Sequence, residues 1–479
     1  MFVPAVMWGQ ITINALDGET SMPVDFGLLA KSAKNDTIKL FSLNGEVTFK
    51  SENSQKVTIY AKGYTTQFVV VYPNTKYTIQ LQRNYYVIDE VIVTDIHSKK
   101  SINNTVLNIS KISAEKIEEL GAVDLRDALA FENNIRMSRD NAIGSSGLTM
   151  MGIGGDNVKL LIDGVPVIGR LFNQLDLEQF NLENVKQIEV IKGPMSVIYG
   201  SNALAGTINI VTNNTNTKPR FNLNTNYETD GQYALTGTAS KSFKNHFVTL
   251  SGGRTMFTGW SANDVDRTFD WIPKEQYTGR VQYSYKHKNA TINVRSELLR
   301  SNLLDRGAPL LPYKEAAVDQ HYTNQRFDNS LSYSNKIGKS SLQMILGNNN
   351  FNRIKNKYYR NLVTLEEVLV AGEVEQDTQT FNASVFRTIY GFDKAKTKGI
   401  ETLIGFDGNY EVGTGNRIKN NRQEQLDAAL FASAEKQLTR YALVRGGIRY
   451  AYNSAFESPI LYSLQTKFNL PNSQILKVA

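Results

Sequence analysis

The chain has 479 residues, 41% of them hydrophobic, with a formal net charge of +7, no cysteine and four histidines. It is long enough for roughly two to four domains and apolar enough to build cores, which excludes a disordered chain. Disulfides and thiolate metal sites are excluded. No run of about 18 apolar residues offers a membrane helix, and the positive charge is not gathered on one face as a nucleic-acid reader requires. A transmembrane β-barrel stays open, because it needs only segments of about ten residues with alternate positions apolar.

Residues 1–9 (MFVPAVMWG) are similar to the tail of a signal-peptide hydrophobic region without its basic start. Residues 10–82 carry six short β-patterned runs, 11–15, 24–30, 46–50, 56–60, 66–71 and 77–81, separated by turns such as Asp17-Gly18 and Asn44-Gly45. Such spacing predicts a small β-sandwich, with Lys62-Gly63-Tyr64 as a turn bearing a packed tyrosine. Residues 88–103 open on the run Asp89, Glu90, Val91, Ile92, Val93, Thr94 and continue as a polar linker. The run reads either as one more strand of the sandwich or as a detachable segment that adds to a partner's sheet edge.

Residues 113–131 have helical spacing, with Ser113 as cap and a break at Gly121. A glycine-bearing loop is expected over 133–155, a strand ending on a tight turn over 160–167 and a helical turn over 174–180. The stretch 188–212 reads as a strand, a Gly193-Pro194 break, a turn ending in Tyr199-Gly200, a small-residue segment and a second strand. Ala203, Ala205 and Gly206 there permit close backbone approach. Residues 104–213 thus form a mixed α/β module.

From residue 214 to 479 the pattern is an array of long strands, mostly 11–16 residues, with one apolar and one charged face. Val281, Tyr283 and Tyr285 alternate with Arg280, Gln282 and Ser284, and Val444, Ile448, Tyr450 and Tyr452 with Arg445 and Arg449. Every second connection is short. Several of the others are long, as over 258–275, 303–324 and 355–376. A soluble sandwich has no reason to sort its loops by parity, whereas an outer-membrane barrel has tight turns on one side and long loops on the other.

LLIDGVPV (160–167, with Asp163, Gly164 and Pro166) and IEVIKGPMSVIYGSNALAGTINIVT (188–212, with Gly193, Pro194, Tyr199, Gly200, Ala205, Gly206 and Asn209) resemble the plug motifs of TonB-dependent outer-membrane receptors. Asp89–Thr94 is similar to that family's TonB box, and residues 10–82 resemble the carboxypeptidase-regulatory-like domain of Bacteroidota receptors. There are departures: Met150-Met151-Gly152 stands where many relatives have Arg-Gly, and Lys192 precedes Gly193.

The resemblance implies a mainly β protein of the cell outer membrane, a transmembrane antiparallel β-barrel with an α/β plug and an N-terminal sandwich. It implies TonB and its inner-membrane complex as partners, with outer-membrane lipid around the barrel. A surface lipoprotein is a further partner if the cargo is an oligosaccharide. The cargo implied first is a metal chelate, an iron–siderophore above all, with no cofactor and no chemistry. Plugged barrels of this kind have about 22 strands. The sequence shows about 12 and the start of another, so the expectation is a C-terminally truncated chain.

Candidate ligand contacts are Trp260, Phe269 and Trp271 in the 258–275 loop, and His321 and Tyr322 in the 303–324 loop. Loop-stabilising packing is the competing role for these aromatics. The rival readings are a passive porin, which predicts no preceding module, and a soluble glycan-binding β-protein, which predicts loops without parity. An enzyme fits least, because the histidines are scattered without metal-ligand or triad spacing.

Overall fold

The computed structural model describes residues 9–31, 37–61, 63–82, 91–92, 100–140, 145–154, 157–168, 175–200, 202–213, 219–263, 266–372, 376–392, 399–471 and 474–479. The chain divides into two compact units, Met1–Glu90 and Val91–Ala479.

In the first unit two sheets face each other. One has Gly9–Asp17 between Glu46–Ser51 and Lys76–Leu81; the other orders Thr37–Phe41, Gly27–Lys31, Gln55–Tyr60 and Gln67–Val71. Ile11, Ile13, Leu28, Val57, Ile59 and Leu81 fill the space between them. The strand Thr37–Phe41 was not among the six expected. It lies at a sheet edge and buries no side chain fully, so its apolar signal is weak. Tyr64 donates its hydroxyl to Asp17 Oδ2 at 2.6 Å, which accounts for a tyrosine in that turn.

The second unit begins with an α/β module. Its five-stranded sheet runs Asn108–Ser113, Val185–Lys192, Gly206–Thr212, Val158–Ile162, Val165–Pro166. The expected 113–131 helix is two short helices, Ala114–Glu119 and Leu125–Leu129. Ser113 and Asp124 cap them, and Gly121 sits between them at φ +63. The expected loop over 133–155 is instead a hairpin, Ile135–Asp140 against Ser145–Met150, extended by Ile153–Gly154. Ser138, Arg139 and Asp140 are exposed in succession and Ser145, Ser146 and Gly147 buried in succession, so neither strand gives a period-2 signal. Leu125, Leu129, Met150, Phe180, Ile188 and Ile208 centre the module's core.

Among the described residues thirteen strands follow in consecutive antiparallel order, from Arg220–Tyr227 to Ile475–Val478, with Glu367–Leu369 added onto Ser340–Asn361. The first and last strands are not paired with each other among the described residues. Ala316–Ile337 and Ser340–Asn361 each run 22 residues, far beyond the roughly 9–11 a membrane crossing needs. Much of the expected 303–324 and 355–376 loops is therefore strand. Where both faces are polar, alternation gives no signal.

The sheet wraps the module with its polar face inward. Arg280, Gln282, Arg295, Glu297, Arg326 and Arg449 are buried, and Arg326 is only 1% exposed. The alternate positions, Val281, Leu298, Leu346, Ile404 and Ile448, face outward, with Leu298 at 55%. This is the inside-out arrangement of a membrane barrel.

Candidate functional site: the seated plug and the cavity beside it

The 160–167 and 188–212 motifs fold onto each other. Asp163 and Gly164 both have positive φ, 51° and 81°, which is the turn an Asp-Gly pair supplies between two antiparallel strands. The turn is clasped from the neighbouring strand. The Asp163 carboxylate accepts from Thr212 N at 2.8 Å and Thr212 Oγ1 at 2.7 Å, and Gly164 N donates to Asn209 Oδ1 at 3.0 Å. Pro166 closes the hairpin opposite Leu161.

Gly193 N donates to Ala205 O at 3.0 Å, and Met195 N to Ala203 O at 2.9 Å, closing the loop that Pro194 opens. At Gly206, φ is +152 and a Cβ would stand 2.2 Å from Ile191 O, so no larger residue fits. The helix Ser196–Tyr199 then ends on Gly200 at φ +77.

The barrel strands grip this module from several sides. Lys274 Nζ donates to Asp176 Oδ2 at 2.7 Å and Glu178 Oε2 at 2.8 Å, all three side chains being at most 10% exposed. Glu178 also takes Arg126 at 2.9 Å and the Ser146 hydroxyl at 2.7 Å. Burial pushes the Glu178 carboxyl up, but Lys274 and Arg126 outweigh it and hold it at about 2. Burial and Asp127 push the neighbouring Asp124 the other way, well above the usual carboxylate range.

Arg280 Nη1 donates to Glu183 O at 3.0 Å, Gln282 Nε2 to Thr212 Oγ1 at 2.7 Å, and Arg326 to Gln179 Oε1 at 3.2 Å. Lys477 Nζ reaches Leu107 O at 2.7 Å. One part of the contact is apolar: Ile109, Ile191, Met195 and Ile198 of the module pack with Ile389, Leu403, Phe431 and Leu443 of the sheet.

A cavity of about 470 Å³ opens between the module and strands Asp377–Phe392, Ile400–Gly415, Arg422–Thr439 and Ala442–Asn453. Tyr199, Gly200 and Lys159 line it from the module. From the sheet come Arg387, Arg449, Asp407 and Glu411. Arg449 pairs with Asp407 at 2.7 Å, and Arg387 lies over the Tyr199 ring at 4.8 Å while donating to Ile198 O. Burial lowers the Lys159 ammonium to about 8, against the pull of Asp407 and Glu411. The cavity thus offers both signs of charge beside aromatic and glycine surface. Sequence reading flagged Arg449 only as part of a polar strand face and passed over Lys159, Arg387 and Asp407. Their convergence spans distant segments and leaves no local signal.

The five proposed ligand contacts lie elsewhere. Trp260 and Trp271 face each other across a bridge with rings 5.7 Å apart, and Arg139 lies 5.3 Å from the Trp271 ring. Phe269 packs on Ile272, Leu303 and Tyr322. His321 and Tyr322 sit within the strand Ala316–Ile337, not in a loop, and His321 meets the Tyr358 ring at 4.9 Å. Four of the five therefore gather into loop packing.

Of the 89–94 run, Val91–Ile92 pairs antiparallel with Lys100–Ser101. Asp89, Glu90, Val93 and Thr94 lie outside the described residues. Among the described residues no group of three or more His, Asp or Glu is placed to hold a metal ion.

Residues 101–207 match the family described as TonB-dependent Receptor Plug Domain. Over 397 residues, 81% of this chain, the sequence is 24% identical to the vitamin B12 transporter BtuB of Vibrio vulnificus (strain CMCP6), and the match spans 62% of that transporter's length. The fold is similar to the siderophore receptor PirA of Acinetobacter baumannii, with a TM-score of 0.61 and 14% identity over 77% of this chain and 60% of that one. It is similar also to a ferric enterobactin receptor of Pseudomonas aeruginosa bound to enterobactin, with a TM-score of 0.62 and 14% identity over 77% and 61%.

Proposed function

We propose that this chain is a TonB-dependent receptor of the outer membrane and that it imports a scarce ligand, an iron–siderophore chelate first, using energy transmitted from the inner membrane. The observation that carries this reading is the seat of the plug. Ion pairs and hydrogen bonds such as Lys274 to Asp176 and Glu178, Arg280 to Glu183 and Arg326 to Gln179 hold it on one side. Water replaces contacts of this kind as they break, so a pull displaces the plug without stripping a large apolar core. The apolar patch around Ile191, Ile198 and Phe431 stays as the anchor on the other side.

Asp89–Thr94 serves as the handle. An extended segment paired onto a partner's sheet edge carries tension along covalent backbone while the ladder of hydrogen bonds supplies the grip. The cavity lined by Lys159, Arg387, Arg449, Asp407 and Glu411 receives the ligand, its charges of both signs suiting the polar rim of a metal chelate. Deleting residues 89–94 is expected to abolish uptake while leaving surface binding intact; undiminished uptake would refute the handle.

Cobalamin is the second reading, favoured by the likeness to a vitamin B12 transporter over 81% of the chain. Growth on ferric chelates under iron limitation, set against growth that depends on cobalamin, separates the two. Rescue by cobalamin alone would overturn the siderophore reading.

A further inference from the structure

The short turns carry a charge pattern that plug seating does not use. Lys244, Lys288 and Lys339 sit in successive short turns, with Lys241, Lys286 and Lys336 on the strands beside them. All six are exposed and none makes an ion pair among the described residues. The stretches 240–251, 284–296 and 329–345 contain no Asp or Glu. At the long-loop ends of the same strands the acids Asp270, Asp305, Glu315 and Glu367 are interspersed.

Just inside the lysines, on the face turned away from the plug, runs an aromatic shelf. Phe243, Tyr285 and Tyr283 surround His246 with ring separations of 5.6, 4.8 and 5.9 Å, and His246 Nδ1 is 2.8 Å from the Tyr283 hydroxyl. His287 stacks on Tyr285 at 6.3 Å. In register, His246 lies opposite Tyr285, Tyr285 opposite Ile292 and Ile292 opposite Tyr333, so the shelf continues at one level across the strands.

A row of amphipathic rings at one depth marks the headgroup level of a membrane protein. Lysines alone at turn tips are ordinary solvated groups. Lysines without acids directly beyond such a shelf place uncompensated ammonium groups where lipid phosphates lie.

We propose that the short-turn rim from Gln232–Phe243 to Ser340–Asn361 is a binding edge for the phosphate of anionic phospholipid headgroups, in the leaflet on that side. The inference rests on the outer-membrane reading above. It adds a selectivity for lipid charge that membrane insertion alone does not require.

The test reconstitutes the full chain into vesicles of phosphatidylcholine, with and without phosphatidylglycerol, and measures the association of spin-labelled forms of each lipid. The expected preference for phosphatidylglycerol is about fivefold or more at low salt, weakening as salt rises. The variant Lys244→Asn, Lys286→Gln, Lys288→Asn, Lys336→Gln, Lys339→Gln should bring the ratio to near one. Asn is chosen at 244 and 288 because φ is +53 and +51 there. Arginine at all five positions should restore the preference, and Lys314→Gln with Lys419→Gln at the long-loop end should leave it unchanged.

A ratio near one in the unsubstituted chain, a ratio unmoved in the five-site variant, or a preference abolished by excess inorganic phosphate would each overturn the proposal while sparing the membrane reading. Strands that stay protease-accessible with either vesicle would overturn the membrane reading, and this inference with it.

Discussion

Removing the ammonium that Asp176 and Glu178 share is the sharpest perturbation of the plug's seat. In Lys274→Met two buried carboxylates lose a partner at 2.7 and 2.8 Å, and Arg126 remains on Glu178 at 2.9 Å. Breaking a buried pair by deleting one member costs about 3–5 kcal/mol, and the surviving arginine favours the lower end. The depressed Glu178 carboxyl, which answers to Lys274 and Arg126 together, carries the same sign. Glu178 is held from 4.5 down to about 2, and about 1.36 kcal/mol per pH unit makes that roughly 3 kcal/mol. Because the seated carboxyl titrates lower than the free one, this stability is complete above about pH 4.5 and is lost as pH falls toward about 2.

The chain has no cysteine, so Met195→Cys, at a plug position 2% exposed that packs on the sheet, reports unseating by maleimide labelling in urea. The labelling midpoint is expected to fall in Lys274→Met, and its acid dependence to shrink with it. The double variant Lys274→Met/Glu178→Gln should lose less than the sum of the two single changes. A midpoint unmoved by Lys274→Met, or strict additivity in the double variant, would refute the reasoning.

Other outcomes follow from the same structure. Asp163→Ala strips two hydrogen bonds from Thr212 and should cost about 1–3 kcal/mol of plug stability in chemical unfolding. Gly206→Ala forces a Cβ to 2.2 Å from Ile191 O, so folded yield should collapse, with no rescue by Ser. Phe269→Ala should speed proteolysis within 258–273, because the ring holds that loop to Ile272, Leu303 and Tyr322; unchanged ligand affinity would separate packing from contact. Arg449→Gln leaves Asp407 with Arg387 at 3.3 Å and opens the cavity beside Gly200, so ligand binding should weaken, and the melting temperature should fall with the lost Asp407 pair while the chain still folds.

Much of the molecule was readable along the chain. The Asp163-Gly164 turn, the Gly193-Pro194 loop and the Ser113 cap announce themselves because turn and cap chemistry acts over three or four residues. Alternation in 281–285 and 444–452 told which side chains share a face. It is silent where both faces are wet, so the ends of Ala316–Ile337 and Ser340–Asn361 nearest 316 and 361, which hold His321 and Tyr322, read as loops. The hairpin of Ile135–Asp140 with Ser145–Met150 leaves no such trace, because exposed and buried positions come in runs along it instead of alternating.

What period-2 alternation and turn residues determined by themselves was a β-array with sorted loops behind an α/β module, since both signals are short-range. Which polar group would answer which was decided only by the tertiary fold. Lys274 meets Asp176 across 98 residues of sequence, Arg326 meets Gln179 across 147, and Lys477 meets Leu107 across 370. A charge facing inward is visible from its neighbours in the strand, but its partner is brought there by the curvature of the whole sheet around the plug, and no local pattern encodes that distance.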